Sequence, residues 1–182
     1  MSKLLIFSVL SIVVFYISWR SLKSSKSHGF YRFFGWVGIC WLIADNYSFW
    51  FVDPLKTTQL ISWGLLLISM YLIISGGIRL IWTGKPSSHR QDDTLFSFEK
   101  TTGLIDIGVY KYIRHPLYAS LIYLTWGICM KNPTLLNISV SVLSSIFLYI
   151  TSKKDEKECL VYFGESYSEY MKRSKMFIPF IF

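Results

Sequence analysis

Long uncharged runs, rather than alternation, dominate the chain. Leu4–Trp19 is uncharged and closed by Arg20, and Phe33–Val52 carries one charge, Asp45. Thr57–Ile78 is uncharged and closed by Arg79. Leu117–Met130 is uncharged but short, and Asn132–Ser152 is closed by Lys153 and Lys154. A helix needs roughly 20 apolar residues to span the bilayer core. The pattern therefore predicts an all-α integral membrane protein with five transmembrane segments. Only Lys131-Asn132-Pro133-Thr134 links the last two, so they must form an antiparallel helical hairpin. Segment five is expected to continue as a helix to Tyr162 or Phe163, with Gly164 as its stop and a helical tail beyond. The polar stretches Trp82–Pro116 and Lys153–Phe182 both adjoin the same mouth of the hairpin.

Composition narrows the class. Of 182 residues, 52% are hydrophobic and 16% charged, whereas an average soluble domain has about 25% charged. An ordinary soluble domain, a disordered chain and a coiled coil are excluded. The net charge of +8 is concentrated on one side: sixteen of nineteen Lys and Arg fall in the loop after segment one (including Lys26), the stretch after segment three (including Arg90) and the tail. The positive-inside rule then predicts a cytoplasmic C-terminus and an outside N-terminus, and explains the charge without nucleic acid. Cytoplasmic membrane and endoplasmic reticulum fit equally. Cys40, Cys129 and Cys159 are odd in number and show no CxxC spacing. His28, His89 and His115 are scattered, so no metal is expected. Only Lys3 precedes the first run and no small-residue cleavage site follows it, so that run is read as a retained helix.

Two constellations could carry chemistry. The first is Gly108-Val109-Tyr110-Lys111-Tyr112-Ile113-Arg114-His115-Pro116-Leu117-Tyr118. Pro116 suits the first turn of segment four. Arg114 and His115 then precede a helix N-terminus, where free N–H groups and a partial positive charge favour a carboxylate. Tyr110 and Tyr118 add flat faces with hydroxyl tips. An interfacial aromatic belt with a basic anchor has the same composition. The second runs from Asp155-Glu156 through Cys159-Leu160 to Phe163-Gly164, Tyr167 and Glu169-Tyr170. Glu156 and Leu160 share a helix face; turned toward the hairpin, that face aims Glu156 at His115. Asp155 lies about 100° away around the helix. The competing reading is a solvated helix end, with Lys154 and Glu158 as an exposed pair. Asp45 is read as a hydrogen-bond partner for a neighbouring helix.

Together the constellations resemble the membrane-embedded isoprenylcysteine carboxyl methyltransferases and the related phospholipid N-methyltransferases. The matching residues are Gly108-Val109-Tyr110, Arg114-His115-Pro116-Leu117-Tyr118, Glu156, Leu160, Phe163-Gly164, Tyr167, Glu169-Tyr170 and Ile178-Pro179-Phe180-Ile181. They cover Thr101 to Phe182. Lys157 stands where family members often have a second Glu. Leu148–Ser152 lacks the Arg that eukaryotic prenylcysteine enzymes carry there.

The resemblance implies a single membrane-embedded domain, residues 1–182, with three spans in 1–82 and a cofactor-binding loop, hairpin and tail in 83–182. It implies S-adenosyl-L-methionine as cofactor. Thr102, Gly103, Leu104, Ile105, Tyr110, His115, Pro116, Leu117 and Tyr118 would lie against it, Glu156 would bind one of its polar groups, and Arg114 and His115 would stand at the reaction centre. The implied reaction is methyl transfer to an amphipathic, prenylated or lipid acceptor reaching the site from the bilayer. A prenylcysteine carboxylate leads, ahead of a phospholipid amine or another lipophilic acid or thiol. Two other classes compete: an NADPH-dependent membrane reductase, since sterol reductases share an Arg-His-Pro-like element and hairpin, and a non-catalytic membrane adaptor. The absence of a Gly-rich dinucleotide fingerprint removes a soluble-type methyltransferase domain.

Overall fold

The computed structural model describes residues 2–25, 27–86, 96 and 99–182. Lys26, His89 and Arg90, counted above, lie outside them. The described chain is helical: α1 Lys3–Leu22, α2 His28–Asn46, α3 Thr57–Trp82, α4 Pro116–Cys129, α5 Leu135–Phe163 and α6 Glu165–Arg173. Its caps follow from local chemistry. Ser27 Oγ accepts from Gly29 N at the start of α2, and Thr134 Oγ1 accepts from Asn137 N at the start of α5. Pro116 occupies the first turn of α4. Gly164, at φ +59°, ends α5 as expected.

The expectation of five spans is met in part. Three helices, α1, α3 and α5, are long and apolar enough to cross a membrane. Helix α4 has 14 residues, about 21 Å at 1.5 Å per residue, and falls short of a roughly 30 Å hydrocarbon core. Helix α2 begins five residues before its predicted segment and ends six residues before that segment's end, because Tyr47–Phe49 forms a 3-10 turn. It therefore includes His28 and Arg32 as well as Asp45. The 29 residues of α5 measure about 44 Å, so its acidic last turns project beyond an apolar layer.

Helix α3 packs on α4, α4 on α5, α5 on α2, and α2 on α1. Small residues permit these approaches. A Cβ on Gly38 would sit 1.9 Å from Ser144 Oγ of α5, and one on Gly76 would meet Pro116 and Leu117 at 3.1–3.3 Å. Ser62 and Ser69 of α3 donate to the carbonyls of Gly127 and Ser120 on α4. Helices α2 and α3 flank α4 without an extensive contact of their own. The chain after α6 returns to the start of α4: Arg114 N donates to Lys175 O, Lys175 N to Tyr112 O, and His115 N to Met176 O, at 2.9–3.2 Å.

Candidate active site

At the end of the bundle where α4 begins, a cavity of about 400 Å³ opens between α2, α3, α4, α5, α6 and the segment from Glu99 to His115. Its polar wall holds Arg32, Glu99, Tyr110, Arg114, His115, Tyr118, Asp155, Tyr167 and Tyr170. Its apolar wall holds Ile73, Gly77, Leu80 and Ile81 of α3 with Leu117 and Leu121 of α4.

The tail bridge holds His115 at the N-cap of α4, where its side chain is buried. His115 Nδ1 lies 3.4 Å from Asp155 Oδ2, and Nε2 lies 3.6 Å from Glu156 Oε1 without making a hydrogen bond. Burial disfavours the imidazolium, but the neighbouring carboxylates of Asp155 and Glu156 outweigh it and raise the His115 pKa above its ordinary value. Arg114 Nε donates to Glu156 Oε1 at 2.6 Å, and its Nη1 donates to Ser174 O at 2.5 Å. Tyr170 Oη donates to Tyr110 O at 2.6 Å. Burial, first of all, raises the phenol pKa of Tyr110, Tyr167 and Tyr170, so these rings face the cavity as neutral phenols.

Opposite them stands a second charged group. Arg32 Nη1 pairs with Glu99 Oε1, and its guanidinium lies 4.3 Å from the ring centre of Phe96 and 5.1 Å from that of Trp36. Trp36 and Phe96 stack nearly parallel. Glu99 Oε2 accepts from Phe96 N, and His28 Nε2 lies 3.8 Å from it. Burial works against the Glu99 carboxylate, but Arg32 and His28 hold its pKa below the usual carboxylate value. His28 Nδ1 reaches Glu158 Oε2 at 2.7 Å, tying α2 to α5.

Most expected site residues come together here: Gly103, Leu104, Ile105, Tyr110, Arg114, His115, Pro116, Leu117 and Tyr118 all line the cavity. Two do not. Thr102 Oγ1 donates to Lys85 O and its N–H to Gly84 O, which folds it back on the end of α3 and leaves Thr101 in the wall. Glu156 sits behind Arg114, shared between Arg114 and Lys153, whereas Asp155 faces the cavity. The face expected to aim Glu156 inward is thus rotated by one residue. Helix α2 packs along α5, and an approach on that side was invisible in the spacing of Glu156 and Leu160.

Arg32, Trp36, His28, Glu99 and the α3 wall escaped the sequence reading. A charge at the edge of an apolar run with an aromatic four residues on, as in Arg32 and Trp36, was the available signal. Its partner Glu99 lies 67 residues away, and no local pattern connects them.

Fold and site define an integral membrane protein of apolar helices with an amphipathic cavity at one end of the bundle. Its curated relatives are methyltransferases. Over 132 residues, 69% of the chain, it is 26% identical to a methanethiol S-methyltransferase of Pseudomonas deceptionensis, covering 45% of that protein. Over 85 residues, 44% of the chain, it is 33% identical to the human protein-S-isoprenylcysteine O-methyltransferase, covering 29% of it. A methanethiol S-methyltransferase of Crocosphaera subtropica matches at 29% identity over 40% of the chain and 28% of its own length. The chain thus spans less than half the length of the curated relatives it matches. The isoprenylcysteine enzyme among them belongs to the family that the sequence resembles; the methanethiol enzymes were not expected from it. No protein-family model and no solved structure matches the chain.

Proposed function

We propose that the protein is an S-adenosyl-L-methionine-dependent methyltransferase acting on a lipophilic anion, with a prenylcysteine carboxylate as leading acceptor. The observation that carries this reading is a single cavity whose one wall offers Asp155, His115, Arg114 and neutral tyrosine rings, and whose other wall is the apolar face of α3. The polar wall suits the cofactor's groups. Asp155 matches an ammonium or the ribose hydroxyls. The buried His115 Nε2, without a hydrogen-bond partner, and Arg114 match a carboxylate. Tyrosine rings match adenine. Glu156 acts indirectly, by fixing Arg114. The cofactor supplies an activated methyl group.

The chain's own part is alignment and the exclusion of water, since burial strengthens every charge interaction at the site. A carboxylate acceptor has a pKa near 4 and is already ionised at neutral pH, so no residue need take a proton. The methanethiol S-methyltransferases among the relatives favour a second acceptor, a lipophilic thiol. Its pKa near 8.5 leaves a proton to be lost before or during the transfer. With sixteen of nineteen cations on the side of this cavity, we infer that the site and the tail are cytoplasmic.

Calorimetry of cofactor binding tests the assignment. Asp155→Asn and His115→Gln should each weaken S-adenosylmethionine binding by about 1.5–3 kcal/mol, the worth of a hydrogen bond to a charged group. Glu156→Gln should have a smaller effect. Equal affinities in all four proteins would remove the cofactor from this cavity. Transfer of labelled methyl to acetyl-farnesyl-cysteine, to dodecanethiol and to phosphatidylethanolamine then sorts the acceptors. Turnover of the amine alone would end the anionic reading.

A further inference from the structure

Two neighbouring glycines in α3 meet opposite surroundings. A Cβ on Gly76 would press on Pro116 and Leu117, which makes Gly76 the point where α3 and α4 close. Among the described residues, a Cβ on Gly77 meets nothing within 4 Å, although Gly77 lines the cavity. On the same helical face, one turn to either side, stand Ile73 and Ile81. Both line the cavity, yet both are about half exposed on the outer surface, at 50% and 56%. The cavity wall and the membrane-facing surface of α3 are therefore one continuous apolar strip, notched in the middle where a side chain is missing. Trp36 of α2 lines the same cavity, and α2 and α3 make no extensive contact with each other.

We propose that Gly77 is a specificity-determining position: its missing side chain leaves the slot through which the acceptor's apolar tail passes from the bilayer into the cavity. The proposal rests on the methyltransferase reading and deepens it by naming the acceptor's class, one whose head is methylated inside while its chain extends past Gly77 toward lipid. Any side chain there would point into the slot. An isobutyl group would fill it and exclude a long chain, leaving the polar wall around Asp155 and His115 untouched. A short-tailed acceptor, held wholly inside, would pass the change almost unaffected.

Gly64 provides the control. It lies in the same helix, also with nothing within 4 Å of a Cβ among the described residues, but it does not line the cavity. For Gly77→Leu, kcat/KM toward acetyl-farnesyl-cysteine should fall roughly tenfold or more, the discrimination that a filled apolar slot yields. Turnover of acetyl-S-propyl-cysteine should stay within about twofold, as for a surface change. Gly64→Leu should leave both unchanged, and Gly77→Ala should fall between. A second readout is independent of turnover. A farnesyl chain bearing a diazirine should label the α3 peptide spanning Ile73–Ile81 in the parent and in Gly64→Leu, and lose most of that labelling in Gly77→Leu.

Equal labelling of parent and Gly77→Leu, or an equal fall for the long and short acceptors, would overturn the proposal. The methyltransferase reading fails separately, by an absence of S-adenosylmethionine binding in the parent. Labelling that still depends on Gly77 would then leave the slot standing as a lipid-chain site.

Discussion

The two ends of the helix bundle both bury charged and polar groups, and they use them differently. At the end away from the cavity, Lys131 is buried in the turn between α4 and α5, with no carboxylate in reach among the described residues. Its Nζ lies 3.5 Å from the centre of the Trp63 ring and donates to Gln59 Oε1 at 2.9 Å. Nearby, Asp45 accepts from Lys3 and from Asn137 at 3.0 Å each, which joins α1, α2 and α5. This answers the expectation for Asp45: it is a structural tie between helices. At the cavity end the charges pair with one another more densely, in Arg32–Glu99, His28–Glu158 and Arg114–Glu156. Of these, Arg32, Glu99 and Arg114 line an open volume of about 400 Å³. Each end leaves buried atoms without a hydrogen bond among the described residues, the side-chain oxygens of Asn46 and Asn137 at one and the Nε2 atoms of His28 and His115 at the other. The histidine of the cavity wall is placed to meet a ligand. A polar cluster that closes on itself serves the fold, and one that rings a cavity also leaves polar groups facing open space.

The largest test of that contrast is Glu99→Ala. It leaves Arg32, 3% exposed, without its carboxylate and strips a partner from His28. Removing one member of a buried ion pair costs about 3–5 kcal/mol. Denaturant unfolding in detergent should show that loss, with weakened S-adenosylmethionine binding beside it. A loss under about 1 kcal/mol would mean that the pair is solvated and that the second charged group of the site plays no structural part.

Lys131→Met should have a smaller effect of one kind only. It removes a cation over Trp63 and a hydrogen bond to Gln59, together worth about 1–3 kcal/mol. Stability should fall while cofactor affinity stays unchanged. A change in affinity would erase the distinction between the two ends.

The smallest effect is in pH. His115 has a folded pKa raised by Asp155 and Glu156 against the opposing effect of burial. A raised folded value means that charged His115 contributes stability fully below the unfolded pKa of about 6.5 and loses it as pH rises through the folded value. The stability difference between the parent and His115→Gln should therefore shrink as pH is raised above about 6.5. A difference that grows with pH would show His115 to be neutral in its pocket.

How much of this was legible in advance depends on the range of the interaction. Helix α5 was read through to Phe163 and its stop at Gly164 because both are written in neighbouring residues: an apolar run, a charged extension and a glycine free to take φ +59°. The start of α4 was read for the same reason, from Pro116. Asp155 and Glu156 were read in the wrong order. One residue is a 100° turn, and the direction of the cavity from α5 depends on where α2 and α4 pack, which no spacing within α5 records.

The sequence by itself determined that the protein is helical and rich in apolar helices, where those helices lie approximately, and that the candidate site residues gather around His115 and the end of α5. These follow from hydropathy, proline and glycine stereochemistry, and local charge, all of which act over one or two helical turns. The tertiary structure alone decided which carboxylate faces the cavity, that Arg32 and Glu99 meet across 67 residues, and that Gly76 closes a helix contact while Gly77 opens a slot. Those choices are made by the packing of one helix on another. In that contact a single Cβ decides between collision and open space, and its surroundings come from parts of the chain far away in sequence.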